Sequence, residues 1–284
     1  MFKPTVSYRP LVAALAASMG LALVSGCQRD QPVPERVPAP TPSEPTPAPD
    51  LVSRTVVMDR AGLIAAFDAA ASAYSSGAAA VEPTLAGRRF SLRQAFGCSE
   101  PTQPGLNPAD RTGSAAAAWG EDRRSLRLRL EPGDWTALPL IADAGETWEA
   151  AEGIWLTRPW MRTSGCPLGV VDPSVSGQPP PAPSPQTFGL AAVFTKEGSR
   201  LGRRNGRAYE YVVRGEDGAQ PLTAPSQGYR LVLEGRMAAF PDGRAIRCHA
   251  ASREQRPICI AAVELDRVAF EDASGVVLSE WRAG

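Results

Sequence analysis

Lysine is almost missing. Lys3 and Lys196 are the only two, so the 30 basic residues are nearly all arginine, and 30 acidic residues balance them. A chain without net charge has no global field to attract nucleic acid or anionic lipid. Histidine occurs once, at His249. Any Ser-His-Asp or Cys-His mechanism would have to use it, and no GxSxG nucleophile motif accompanies it. If Ile246 and Cys248 point inward on a strand, alternation turns His249 outward with Arg247. There are five cysteines and no CxxC pair. The longest uncharged apolar run, residues 11–26, has 16 residues, short of the ~20 needed to span a bilayer. Nothing in these scarcities suggests a cofactor, and none is expected.

Proline is abundant and clustered. Eight of the twenty residues in 31–50 are proline. Fixed φ and missing donors make this polyproline-II-like chain rather than a packed element. At ~3.1 Å per residue the stretch from Gln28 to Asp50 could reach roughly 70 Å, which suits a spacer. Before it, Lys3 and Arg9 precede the apolar run, and the run ends in "VSGC", Val24-Ser25-Gly26-Cys27. A basic start, a short apolar stretch and small residues before a cut site describe a secretory signal peptide. The segment resembles the lipobox of bacterial lipoprotein precursors, with valine at a position where leucine is commoner. That resemblance implies cleavage between Gly26 and Cys27 and lipidation of Cys27. Gln28 follows, where aspartate would typically signal inner-membrane retention, so the resemblance implies an outer-membrane anchor facing the periplasm. Two or three acyl chains on one residue hold a protein stably to a bilayer. Loss of residues 1–26 would remove Lys3 and Arg9, leaving 28 basic against 30 acidic residues.

The rest reads as an α+β body, mainly antiparallel β, with one N-terminal helix at about 59–76 and disulfide stabilisation. Leu63, Phe67, Ala70 and Tyr74 recur at helical spacing, with Asp59 as N-cap and Gly77 as stop. After it the period becomes two. In "RRFSLRQAFGC" Phe90, Leu92, Phe96 and Cys98 share a face that only Gln94 interrupts, and "AAAAW", "GEDR" and "SLRLRL" suggest a hairpin. A second proline-rich stretch at 173–186 is a linker or a long loop, dividing 51–172, the helix and a β-rich subdomain, from 187–284, an antiparallel subdomain. The last seventy residues read as a meander.

With Cys27 lipidated, Cys98, Cys166, Cys248 and Cys259 remain for an oxidising compartment. If 245–250 pairs with 257–262 around a loop at 251–256, Cys248 lies opposite Cys259, and a directly opposed pair falls within disulfide reach. Cys98–Cys166 follows by elimination. A zinc site on Cys248, His249 and Cys259 is the competing reading, without the usual ligand spacing.

Three candidate sites remain. Arg200, Arg203, Arg204 and Arg207, with Lys196, lie among glycines 198, 202 and 206, as a loop able to contact lipid phosphates or an acidic partner. Asp143, Glu146, Glu149 and Glu152 have a spacing that would line one face of a short helix. They are the nearest thing to the two carboxylates of a glycan hydrolase. An exposed aromatic face around Tyr209, Tyr211 or Trp155 would instead favour binding. The expectation is therefore a non-enzymatic binding or scaffold module for an envelope protein, lipopolysaccharide or peptidoglycan, not nucleic acid. The alternative is a carboxylate-dependent hydrolase of envelope glycan.

Overall fold

The computed structural model describes residues 56–78, 85–99, 101–103, 112–121, 123–142, 147–167, 185–215 and 221–283. The signal segment, Cys27, the tether, Asp143, Glu146 and residues 173–184 lie outside them. The described residues belong to one compact unit, Leu51–Gly284. In chain order the elements are α1 (Arg60–Ser76), β1 (Arg89–Phe96), β2 (Ala116–Trp119), β3 (Ser125–Leu130), β4 (Gly133–Asp134), α2 (Pro139–Ala142) and β5 (Trp148–Trp155). Six strands follow: β6 (Phe188–Thr195), β7 (Tyr209–Arg214), β8 (Tyr229–Met237), β9 (Ile246–His249), β10 (Ile258–Glu271) and β11 (Val277–Arg282).

Helix α1 is built from local signals. The Asp59 carboxylate accepts from the Gly62 amide at 2.9 Å, and Gly77 ends the helix with φ of 67°. Leu63, Ile64, Phe67 and Ala70 face the core, and Phe67 stacks on Phe188 with ring centroids 4.8 Å apart. Tyr74 leaves the stripe. It is 44% exposed, and its hydroxyl accepts from the Ala250 amide. One turn beyond Ala70, the helix has run past the edge of the core, where only the phenol's polar end finds a partner.

The body is mostly β. A large sheet of eight strands runs β1-β8-β10-β6-β5-β4, with β9 and β11 also paired to β10. A three-stranded sheet runs β2-β3-β7 and contains the β2–β3 hairpin. The large sheet is mixed, because β6 and β10 run parallel, from Cys259 beside Phe188 to Val263 beside Ala192. Every other pairing between the named strands is antiparallel. The C-terminal strands are not a simple meander. The 14-residue β10 serves four neighbours, with β6 and β9 on its first half and β8 and β11 on its second. Strands from both sides of residues 173–186 share both sheets, since β1 pairs with β8, β5 with β6, and β3 with β7.

Both faces of the large sheet are covered, so its central strands carry unbroken apolar runs instead of alternation. One face meets α1 and the small sheet, burying Phe90, Leu92, Leu126, Leu128, Leu231 and Phe270. The other is closed by Trp135, Ile141, Trp148 and Phe240 over Ala191, Ile260 and Ala262. Gln94, the polar interruption in β1, is buried and bridges the Trp155 carbonyl and the Thr157 amide, both at 3.2 Å.

Candidate functional site

The arginine stretch connects β6 to β7 as a series of tight turns. Backbone bonds run from the amides of Gly198, Arg203 and Arg207 to the carbonyls of Thr195, Arg200 and Arg204. The last turn places Asn205 and Gly206 at φ of 51° and 78°, the consecutive positive values a type I′ turn requires. Asparagine followed by glycine is the pair that adopts them at least cost.

Two carboxylates of β5 hold this loop. Glu149 accepts from Arg200 Nη2 at 2.8 Å and Arg203 Nη1 at 3.0 Å. Glu152, buried, accepts from the backbone amides of Arg204 at 2.8 and 3.0 Å and of Asn205 at 2.7 Å. The segment is thus a strand and not the helix expected from the glutamate spacing. Alternation along an ideal strand would send Glu149 and Glu152 to opposite faces. The register slips between Trp148 and Ala150, which leaves Glu149 as the extra residue of a β-bulge and turns it to the side of Glu152. Spacing of three on a bulged strand imitates one face of a helix.

The electrostatics follow from these contacts. The Arg203 hydrogen bond holds the Glu149 carboxyl below its ordinary range, with burial opposing and the Arg200 charge assisting. Burial, reinforced by the Glu152 charge, pushes the Tyr209 phenol up to about 12. Tyr209 donates to the Gly202 carbonyl at 3.3 Å, and the Arg204 guanidinium lies 4.5 Å from its ring centre.

Beside the loop opens a cleft of about 970 Å³. Arg200, Arg203, Arg204 and Arg207 of the loop line it. Arg236, Arg267 and Arg282, from β8, β10 and β11, line it too, so the lining holds seven arginines and three carboxylates, Glu152, Glu264 and Asp266. The second group has no signature along the chain. Cross-strand register assembles it, with Arg267 opposite Arg282 and Glu264 opposite Arg236. Arg267 donates to Glu280 at 2.8 Å and Glu234 at 3.3 Å. Burial depresses its pKa, but those hydrogen bonds and charges outweigh the effect and raise it. Trp281 adds a half-buried aromatic wall, edge-on to Tyr209 at 5.1 Å.

The other candidates fall elsewhere. Cys98–Cys166 and Cys248–Cys259 are disulfides, with Cα separations of 5.6 and 4.0 Å. The second sits at the register expected, Cys248 opposite Cys259 and His249 opposite Ile258. Both cysteines of the zinc reading are thereby consumed. His249 is exposed at the end of β9. The exposed aromatic face does not form, because Tyr209 is buried and Trp155 packs 4.5 Å from Trp135. Two glutamates are buried among the described residues, Glu152 and Glu271, and only Glu152 lines the cleft. Glu271 meets Arg93 at 3.3 Å instead. No family model matches the chain, and no curated protein or solved structure matches it either.

Proposed function

We propose that this chain is an exported, lipid-anchored protein of the bacterial envelope, held at the outer membrane and facing the periplasm, whose body is a non-enzymatic binding module. The observation that carries the reading is the cysteine pattern. Four of the five cysteines close two disulfides within the body, and Cys27, in its lipobox-like setting, is the one left over. Such bonds persist in oxidising compartments and are rare in a reducing cytosol. A single extra cysteine then calls for its own use, and thioether lipidation supplies one.

The site chemistry favours binding over glycan cleavage. A general acid must hold its proton near neutral pH. Glu149 is held low by Arg203, and Glu152 is occupied by backbone amides. Both are engaged in supporting the loop, and only Glu152 lines the cleft, so the cleft has no pair of buried glutamates.

Fractionation of cells expressing the wild type and Cys27→Ser tests the anchor. The wild type should sediment with membranes and the variant should be released. Membrane retention of Cys27→Ser would sink the lipidation reading. Crosslinking in intact cells then tests the module. A reproducible captured envelope component supports it, and turnover of peptidoglycan by the purified protein would replace it with the hydrolase.

A further inference from the structure

We propose that the arginine-lined cleft takes a phosphate-bearing ligand, held by Arg200, Arg203 and Arg207, which draws the first two away from the Glu149 carboxylate behind them. The inference rests on the reading of the body as a binding module, but not on export or lipidation.

Glu149 does not itself line the cleft, but it holds two of the arginines that do. Two guanidinium groups converge on its carboxylate at 2.8 and 3.0 Å, the charge-assisted geometry that also suits phosphate oxygens. A phosphate monoester carries more charge than a carboxylate and a third free oxygen. Arg207, which lines the same cleft, supplies a further donor. It is exposed, and its Nε donates to the Arg204 carbonyl, while its terminal amino groups meet no acceptor among the described residues.

The two glutamates differ in how readily they can be displaced. The Glu149 side chain is 28% exposed, so it can return to water when an anion replaces it. Glu152 is buried under three amide hydrogen bonds and keeps the turns in place throughout. One clasp is exchangeable and one is fixed. The cleft also has more room than a bare phosphate needs, about 970 Å³, which is near the upper end for small-ligand sites. Leu201, 58% exposed, and the half-buried Trp281 give it apolar walls for the remainder of the molecule. A phosphorylated sugar and the monoester headgroup of phosphatidic acid share this chemistry.

The test is calorimetric titration of the purified, oxidised protein at low ionic strength with inorganic pyrophosphate. Vesicles of phosphatidic acid, a phosphate monoester, with phosphatidylcholine, a zwitterionic diester, as the control, form the second arm. Glu149→Gln should tighten pyrophosphate binding by about tenfold, because it frees two guanidiniums worth about one charge-assisted hydrogen bond of affinity. Arg207→Gln, an exposed change that leaves the glutamate clasps intact, should weaken it by about the same factor. Binding of both probes, with phosphatidylcholine inert, assigns the phosphate to a lipid headgroup. Pyrophosphate alone assigns it to a soluble ester. Equal affinity in wild type and a folded Glu149→Gln overturns the displacement. If that variant fails to fold, equal affinity of wild type and Arg207→Gln does so. Should cells yield a crosslinked envelope component while no probe binds, the ligand class falls and the binding module stands. Probe binding without any captured component keeps the ligand class and removes the macromolecular envelope partner.

Discussion

Glu149 and Glu152 show how a residue's role depends on its support. Both serve one loop, Glu149 through side-chain ion pairs and Glu152 through backbone amides. The Arg203 hydrogen bond, and then the Arg200 charge against the opposing effect of burial, lowers the Glu149 pKa in the folded state. A carboxylate with a depressed folded pKa adds stability above its unfolded value, ~4.3 for glutamate, and loses it as pH falls through the folded value. Wild type should therefore unfold at a slightly higher temperature than Glu149→Gln at pH 7, and the gap should close below about pH 4. Thermal melts across that range check it, and a gap that persists in acid would refute the ion pair. Arg60 is the opposite case, a cation that meets no carboxylate among the described residues. Its Nε donates to the Met161 carbonyl and its Nη2 to those of Thr157 and Arg158, at 2.7–3.0 Å. Burial, helped by the Arg158 charge, pulls its pKa down to about 10. In the first turn of a helix a cation opposes the macrodipole. Its acceptors lie about a hundred residues away and left no local trace.

At the scale of elements, α1 was legible because everything it needs is within twenty residues: a period, a cap and a stop. The strands were legible as strands, but not their partners or bulges. Strand β5 shows the cost of that. Its bulge at Glu149 mimics helical spacing, and its glycine at 153 has a purpose only once Trp135 is placed. A Cβ on Gly153 would fall inside the Trp135 indole, and one on Gly189 would press its far edge. The indole lies flat across two neighbouring strands at positions without side chains. Gly153→Ala should cost about 3 kcal/mol through overpacking. Chemical denaturation with the disulfides intact measures it, and a loss under about 0.5 kcal/mol, ordinary for a surface change, would mean the indole moves freely aside.

Across the whole molecule, one covalent link is long-range and one is local. Cys98–Cys166 closes a separation of 68 residues and Cys248–Cys259 one of 11. On the loop-entropy account these restrict the unfolded chain by ~4 and ~3 kcal/mol. Replacing each pair by alanine should lower the unfolding free energy in that order. A larger loss from the short loop would place the effect in native packing instead. The two links also differ in how they could be read. The register of a short hairpin sets Cys248 against Cys259, whereas Cys98–Cys166 followed only because no other cysteine was left in the body. The division of the body at 173–186 does not coincide with any division of the sheets. Strands before that stretch pair with strands after it in both sheets, and the parallel contact of β6 with β10 spans about seventy residues.

What the sequence determined by itself was local: the helix with its caps, the β-rich period, the cysteine pairing, and the loop that glycine and asparagine bend at 198–206. Each depends on residues close in the chain or on simple counting. Only the tertiary structure decided that the large sheet is mixed, that a bulge aims Glu149 at the arginine loop, and that Arg236, Arg267 and Arg282 line one cleft together with that loop. Those facts depend on register between strands far apart in sequence. A one-residue slip in such a register reverses which face every side chain takes, and the hydrophobic pattern of strands buried on both faces does not choose between them.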